Sequence, residues 1–486
     1  MANIVEKQHT EEKHIDDDRV LFDEVDASLE RRIRIKCDLN LLPVLFILLL
    51  LAFLDRVNIG NARIQGLEAD LGMKGQDYNI ALSVFFITYI LCEIPSNVVL
   101  KNVRPSVWLS GLMFGWGVIT TLQGVTQSFA GLVVCRILLG VFEAGFFPGA
   151  VYLISMYYKR YDVQIRISLF FCGSILAGAI SGLLAYAIAG MQGLRGYSVW
   201  RWIFIIEGCA TCAIAAGAYF IIPDWPETAR FLKPEERLVL LNRLAAEAGE
   251  GTMTKASKKA AKLVLTDVKI YLGILMFIGV AATSYAASFF IPTILAELGW
   301  TAVRAQVMTI PIYAFAAVSN LVIAFVSDHI KHRYSFIMVG CIVSVIGYAI
   351  LLETAKVSIS TRYMALFFVV TGVSVALPVS VTWLNNNMGG HYKRGVAAAA
   401  QIGFGNTAGL IASNIFITTQ APYYRIGYSV SLSLILLTAV SATMMAVYMK
   451  LENKKRDEGK RDYMLSLPAD ELYNLGDAHP TFRFVF

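Results

Sequence analysis

Charge is scarce in this sequence. Only 16 % of its 486 residues are Asp, Glu, Lys or Arg, against 56 % hydrophobic. Soluble chains carry roughly a quarter charged residues, so a water-soluble globular protein of this length is excluded. Histidine is scarcer still, with six residues and none inside an apolar run. That removes a histidine proton relay and any basis for an intramembrane metal site; no metal and no cofactor is expected. There is no phosphate loop of the G-x-x-x-x-G-K kind and no Ser–Lys or His-rich arrangement, so an enzyme is not expected. The N-terminus, MANIVEKQHTEEKHIDDDR, is polar and acidic, unlike a signal peptide, and the first apolar run is expected to act as the insertion signal. No Asn-x-Ser/Thr sequon is present to report topology. Six of the seven cysteines fall in apolar runs; Cys209 and Cys212 form a CxxC, but inside a membrane helix that reads as packing.

What the chain has instead is long apolar runs. They cover 39–59, 79–100, 107–126, 130–156, 166–190 and 200–222, then 268–296, 304–327, 335–354, 361–386, 395–418 and 427–450. Each is close to the length that crosses a bilayer as a helix. The expected fold is therefore an all-α polytopic membrane protein of about twelve transmembrane helices in two six-helix bundles. The expected divisions are a tail over 1–37, a first bundle over 38–222, a central loop over 223–267, a second bundle over 268–450 and a second tail over 451–486. The multi-pass chain is embedded in lipid, and a bundle of this kind needs no partner, so a monomer is expected.

The net charge of +6 sits in particular loops and is no nucleic-acid footprint. With a cytoplasmic N-terminus, the inner loops hold Lys101 and Arg104, Lys159, Arg160 and Arg166, the basic residues of 230–269, Lys331 and Arg333, and Lys393 and Arg394. The outer loops hold few. The positive-inside bias thus places both termini in the cytoplasm. Within the central loop, the stretch after Pro234 has helical pattern with Glu235 and Glu236 in its first turn, followed by the lysine-rich KASKKAAK. Prolines 148, 292 and 378 stand inside apolar runs as expected helix breaks or bends.

A few ionised groups lie where hydrocarbon would otherwise be. Arg136 and Glu143 are about two helical turns apart in the fourth run and share a face. Asp55 and Arg56 stand together in the first. Such groups cost several kcal/mol unless they face protein or water, so they are functional candidates; the alternative is a structural ion pair that locks helices. Asp55, Arg56 and Arg136 fall in the outer third of the bilayer and Glu143 near its middle. Glu207, in the sixth run near Arg201, reads as a structural pair with that arginine. The second set of runs offers no acid in mid-membrane.

Several stretches carry a resemblance. LDRVNIGNARIQGLEADLGM (54–73), CEIPSN (92–97), RILLGVFEAGFFPG (136–149), WRWIFIIEG (200–208) and PDWPETARFLKPEER (223–237) resemble the fungal anion:cation symporters of the major facilitator superfamily, the group of allantoate and nicotinate permeases, over nearly the whole chain. SDHIKHR (327–333) is similar to the superfamily's gate signature, which implies gating roles for Asp328 and Arg333. Its counterpart, PSNVVLKNVRP (95–105), has lost the acid but keeps Lys101 and Arg104. Drug/proton antiporters and sugar porters fit less well, since the fifth run has no proline and the sugar-porter end motif is missing.

The resemblance implies uptake of a small organic anion with a proton by alternating access, at the plasma membrane. On that reading Asp55 pairs with Arg136, and Arg56 binds the substrate carboxylate, because a guanidinium grips carboxylates in a bidentate fork. Glu143 carries the proton and Asp55 shares it; burial near the bilayer centre favours a neutral carboxyl. Arg136, Tyr89, Tyr285, Asn320, Gln401 and Asn406 are candidate substrate contacts, though a buried polar group is as often interhelical glue. Export of a carboxylated metabolite and a non-transporting sensor are the alternatives, and the residues leave the anion itself open.

Overall fold

In lipid a backbone must satisfy its own hydrogen bonds, which leaves helices or closed barrels. The computed structural model describes residues 27–158, 163–247, 266–353, 356–389, 391–468 and 475–486, and these hold helices and no strand. The first half comprises α1 (Ala27–Ala62), α2 (Asp77–Asn102), α3 (Pro105–Val125), α4 (Phe129–Glu143), α5 (Phe146–Tyr157), α6 (Val163–Ile188) and α7 (Val199–Ile221). Helix α8 (Pro234–Glu247) lies in the central loop. The second half comprises α9 (Val268–Glu297), α10 (Ala302–Ile330), α11 (Arg333–Leu352), α12 (Ile359–Asn386), α13 (His391–Gly405), α14 (Thr407–Ile415) and α15 (Arg425–Asp457).

Among the described residues ten helices are long and apolar enough to cross a membrane, so the chain is a multi-pass membrane protein. The two remaining apolar runs differ for separate reasons. Helix α3 is long enough at 21 residues, but its glycines, serines and threonines dilute its hydropathy. The eleventh run is interrupted at Asn406 into α13, of 15 residues, and α14, of 9.

The prolines behave less uniformly than expected. The fourth run does break, at Ala144–Gly145, and Pro148 lies in the first turn of α5, where no intrahelical N–H is required of it. Helices α9 and α12 run through Pro292 and Pro378 without interruption. Helix α1 includes Arg31, Arg32, Arg34 and Lys36, so the basic cluster at the end of the expected tail lies on a helix. There Lys36 binds Glu236 of α8 at 2.6 Å and Arg243 binds Glu30 at 3.2 Å, which clasps the central-loop helix to the first half. KASKKAAK lies outside the described residues.

The end of the bundle that carries Ala27 and α8 is termed the loop end, and the opposite end the far end. At the far end the halves are joined. Asn79 donates to Ser413 O at 2.5 Å, Gln65 donates to Gln306 Oε1 at 3.1 Å, and Asn414 donates to Ser83 at 2.9 Å. Tyr78 meets Phe290 edge-on and Phe290 stacks on Phe416, with the Arg63 guanidinium 4.2 Å above the Tyr78 ring.

At the loop end, residues 475–486 return across the second half. Asn387 donates to Val485 O and accepts from Val485 N, at 2.9 and 2.8 Å; Asn453 does the same to Phe484, at 2.9 Å both ways. Trp383 Nε1 donates to Val485 O, and Arg333 N donates to Phe486 O. Asp477, 1 % exposed, joins Lys269 and Lys393 at 2.6 and 2.8 Å.

Candidate functional site

Glycine sets the geometry of the central cluster. A side chain at Gly140 of α4, or at Gly145 in the break that follows it, would collide with Thr88 or Ser96 of α2. That close approach, available to small residues in membranes, brings Tyr89 and Glu93 of α2 against the Arg136–Glu143 face. A Cβ at Gly60 of α1 would stand 2.7 Å from the backbone oxygen of Phe289. This second approach carries Arg56, one turn earlier, to Tyr285 of α9.

Arg56 occupies the meeting point. Its Nε donates to Glu143 Oε1 at 2.5 Å, and its Nη1 lies 3.3 Å from the Tyr285 hydroxyl. The guanidinium stands 4.7 Å from the Tyr89 ring centroid, 5.0 Å from Phe53 and 5.3 Å from Phe85, within the range of cation–π attraction. The Tyr285 hydroxyl donates to Asn406 Oδ1 at 3.3 Å, and Asn406 Nδ2 donates to Glu93 Oε2 at 3.0 Å. Arg56, Glu143, Tyr89, Glu93 and Asn406 are each at most 5 % exposed. One hydrogen-bonded path therefore runs from α4 through α1, α9 and the break before α14 to α2. It crosses the seam between halves twice.

The ion pairing differs from the sequence expectation. Asp55 forms no ion pair with Arg136; among the described residues both of its oxygens lack a donor, as Arg136 Nε and Nη2 lack an acceptor. Asp55 faces Glu207 of α7 instead. Glu207 does not pair with Arg201, whose guanidinium caps the end of α3 by donating to the Gly124 and Thr126 carbonyls. It accepts from Asn58. The reason is rotational: Asp55 and Arg56 are adjacent on a helix and point about 100° apart, and in this arrangement the arginine meets Glu143 while Asp55 turns toward α7.

Two candidates from the second half stand apart from this path. Asn320 Nδ2 donates to Cys172 Sγ of α6 at 3.4 Å, and Gln401 donates to Gly273 O of α9 at 3.2 Å. Both act here as helix-to-helix hydrogen bonds. Of the gate candidates, Arg333 is 7 % exposed and begins α11, and Arg104 precedes α3 with its side chain exposed. The side chains of Lys101 and Asp328 lie outside the described residues.

Glu93 and Asn58 are missing from the sequence reading. Glu93 was legible by the rule that selects Glu143, since it is an acid within an apolar run. Asn58 gave no signal beyond its place one turn after Asp55.

The comparisons agree with this architecture. The family model described as Major Facilitator Superfamily matches residues 45–413. The chain is 36 % identical to an MFS-type transporter of Penicillium expansum, over 94 % of this chain and 91 % of that one. It is 29 % identical to the high-affinity nicotinic acid transporter of Saccharomyces cerevisiae, over 94 % and 85 %. Among solved structures, a D-xylose–proton symporter superposes with a TM-score of 0.64 at 15 % identity, covering 84 % of this chain and 97 % of that one.

Proposed function

The chain belongs to the major facilitator superfamily, and from that premise we propose that it is a proton-coupled importer of a small organic anion working by alternating access. It is a membrane transporter and not an enzyme. The observation that carries the proposal is the Arg56–Glu143 ion pair at the seam between the halves. With Glu143 ionised, the guanidinium is occupied. Protonation of Glu143 removes the charge that holds it and frees a fork suited to a carboxylate. Proton and anion then load together, which is the requirement for symport.

The remaining roles follow from position. Tyr89 supplies an aromatic wall, and Tyr285 and Asn406 contribute the second half's contacts to the same anion. A carboxylate bound there would touch both halves, so its presence is sensed by the rocking of one against the other. The relative in Saccharomyces cerevisiae is named for nicotinic acid, and an arginine flanked by aromatic rings has the chemistry to hold a small aromatic carboxylate. Twelve crossings are proposed, with α3 as the third and α13–α14 as the eleventh. They form units 38–222 and 268–450, with the loop end and both termini in the cytoplasm of a plasma-membrane protein. The joined far end then corresponds to a closed outer entrance. Asp328, Arg333, Lys101 and Arg104 lie at the inner gate.

The test is uptake into proteoliposomes with an imposed inward proton gradient, using nicotinate and a panel of other small carboxylates. Accumulation that collapses with a protonophore, and that is lost in Arg56→Lys, is expected. Transport of an uncharged amide analogue as fast as its acid rejects the role of Arg56. Retention of a carboxylated product inside cells lacking the gene rejects import in favour of export.

A further inference from the structure

Asp55 and Glu207 meet inside the first half, each 2 % exposed. Asn58 donates to Glu207 Oε2, and its own Oδ1 accepts from the Ser181 hydroxyl at 2.6 Å, so its orientation is fixed. Glu207 Oε1 and both oxygens of Asp55 meet no donor among the described residues. Asn58, one turn after Asp55 on α1, reaches Glu207 of α7, which sets the two carboxyls side by side. Two ionised carboxylates are pure acceptors and repel at that distance. The contact is a hydrogen bond only when one of the oxygens carries a proton.

The charge balance around the pair asks for the same proton. Arg136 of α4 acts on both carboxyls without pairing to either. Glu143 of α4 adds negative charge toward Asp55, and Arg56 already answers it. Cys212 of α7 adds only a thiol within range of Asp55. Three carboxyls, Asp55, Glu143 and Glu207, thus face two guanidiniums, Arg56 and Arg136. Glu93, beyond Arg56, adds to the deficit of positive charge. An unbalanced charge in a buried site is strongly disfavoured, and one proton on the carboxyl pair restores neutrality to the set of five.

We propose that Asp55 and Glu207 hold one proton between them, which makes Glu207 a further proton-binding residue of the carrier. Its part in transport rests on the proton-coupled reading above; the shared proton itself does not. Loss of that proton to solvent leaves two carboxylates beside Arg136. The free Nε and Nη2 of Arg136 are then the groups that answer the new charge, by turning to Asp55. The Asp55–Arg136 pair expected from the sequence is, on this account, the deprotonated arrangement of the same site. Regaining the proton restores the carboxyl contact and releases the arginine.

The experiment is infrared spectroscopy of the purified full-length protein in lipid, without substrate, as the pH is raised. The carbonyl stretch of a protonated, buried carboxyl is the readout. The wild type should show this band, and both Glu207→Gln and Asp55→Asn should lose it, because either amide removes the shared acid proton. Glu207→Gln keeps an acceptor for Asn58 and should remain folded, as a thermal unfolding trace will report; should it not fold, Asp55→Asn alone decides. The band persisting at wild-type intensity in a folded variant overturns the proposal. Its loss in both variants, in a wild type that shows no proton-driven uptake, leaves the shared proton standing and removes the symport reading instead.

Discussion

Arg56 and Glu143 are 87 positions apart in the chain and 2.5 Å apart in space. Their contact is the point at which a protonation event reaches an anion-binding group. Neutralising the acid while keeping its shape separates these functions. Glu143→Gln should abolish concentrative uptake driven by a proton gradient, while exchange of labelled for unlabelled anion continues at a similar rate. Counterflow and gradient-driven assays on the same vesicles check this; undiminished accumulation would remove Glu143 from the coupling step.

Tyr285 donates to Asn406 and borders Arg56, both at 3.3 Å. These are long hydrogen bonds, and losing such contacts costs about 1 kcal/mol. Tyr285→Phe should therefore weaken anion binding roughly fivefold with little change in maximal rate. A hundredfold loss, or none, in a binding titration would show that the hydroxyl has a different part.

Gly60 packs directly on the backbone of Phe289. Overpacking of this kind costs about 1–3 kcal/mol, and here the cost falls on the state in which the far end is joined. Cysteines introduced as Gln65→Cys and Gln306→Cys should be joined by a short bifunctional thiol reagent, because the two longer native side chains meet tip to tip across the seam at 3.1 Å. Adding Gly60→Val should lower the cross-linking yield at equal expression. An unchanged yield would mean that α1 and α9 separate elsewhere.

Asp477 ties residues 475–486 to Lys269 and Lys393. Burial pushes its carboxyl up, but the two ammonium groups outweigh burial and hold it below the usual carboxylate range. A depressed acid contributes its stability above the ordinary value near 4 and loses it only as pH falls through the lower folded value. Removing one partner of a buried pair costs about 3–5 kcal/mol. Asp477→Ala should lower the unfolding temperature by the same margin from pH 8 to pH 5, with the gap closing only in stronger acid. A gap that narrows between pH 7 and pH 5 contradicts the assignment.

Much of this architecture was legible. Apolar run length located each of the ten helices long and apolar enough to cross a membrane, and acids and arginines at hydrocarbon depth marked Asp55, Arg56, Arg136 and Glu143 as the groups to follow, while Glu207 read as a structural partner of Arg201. Their partners were not legible. Pairing depends on which side chain of two neighbours faces which helix, and that rotation is fixed by Gly60 and Gly140 meeting the backbones of Phe289 and Phe85, and by Gly145 meeting the Ser96 side chain, all distant in sequence. The interruption at Asn406 was hidden because neither α13 nor α14 contains a proline; the run looks continuous to hydropathy. The return of residues 475–486 was equally hidden. Asn387 and Asn453 grip peptide groups there, and peptide groups are the same in every sequence.

Cys172 lies on α6 with its sulfur 3.4 Å from Asn320 of α10 and is 3 % exposed. Its thiol is thus a native clock for the parting of the halves. A small, lipid-permeant maleimide can label it only as often as α6 and α10 separate. The labelling rate at Cys172, read by peptide mapping apart from the exposed Cys209 and the partly exposed Cys92 and Cys212, gives the frequency of that excursion, and its slowing by a bound anion would report how firmly the cargo holds the two halves together.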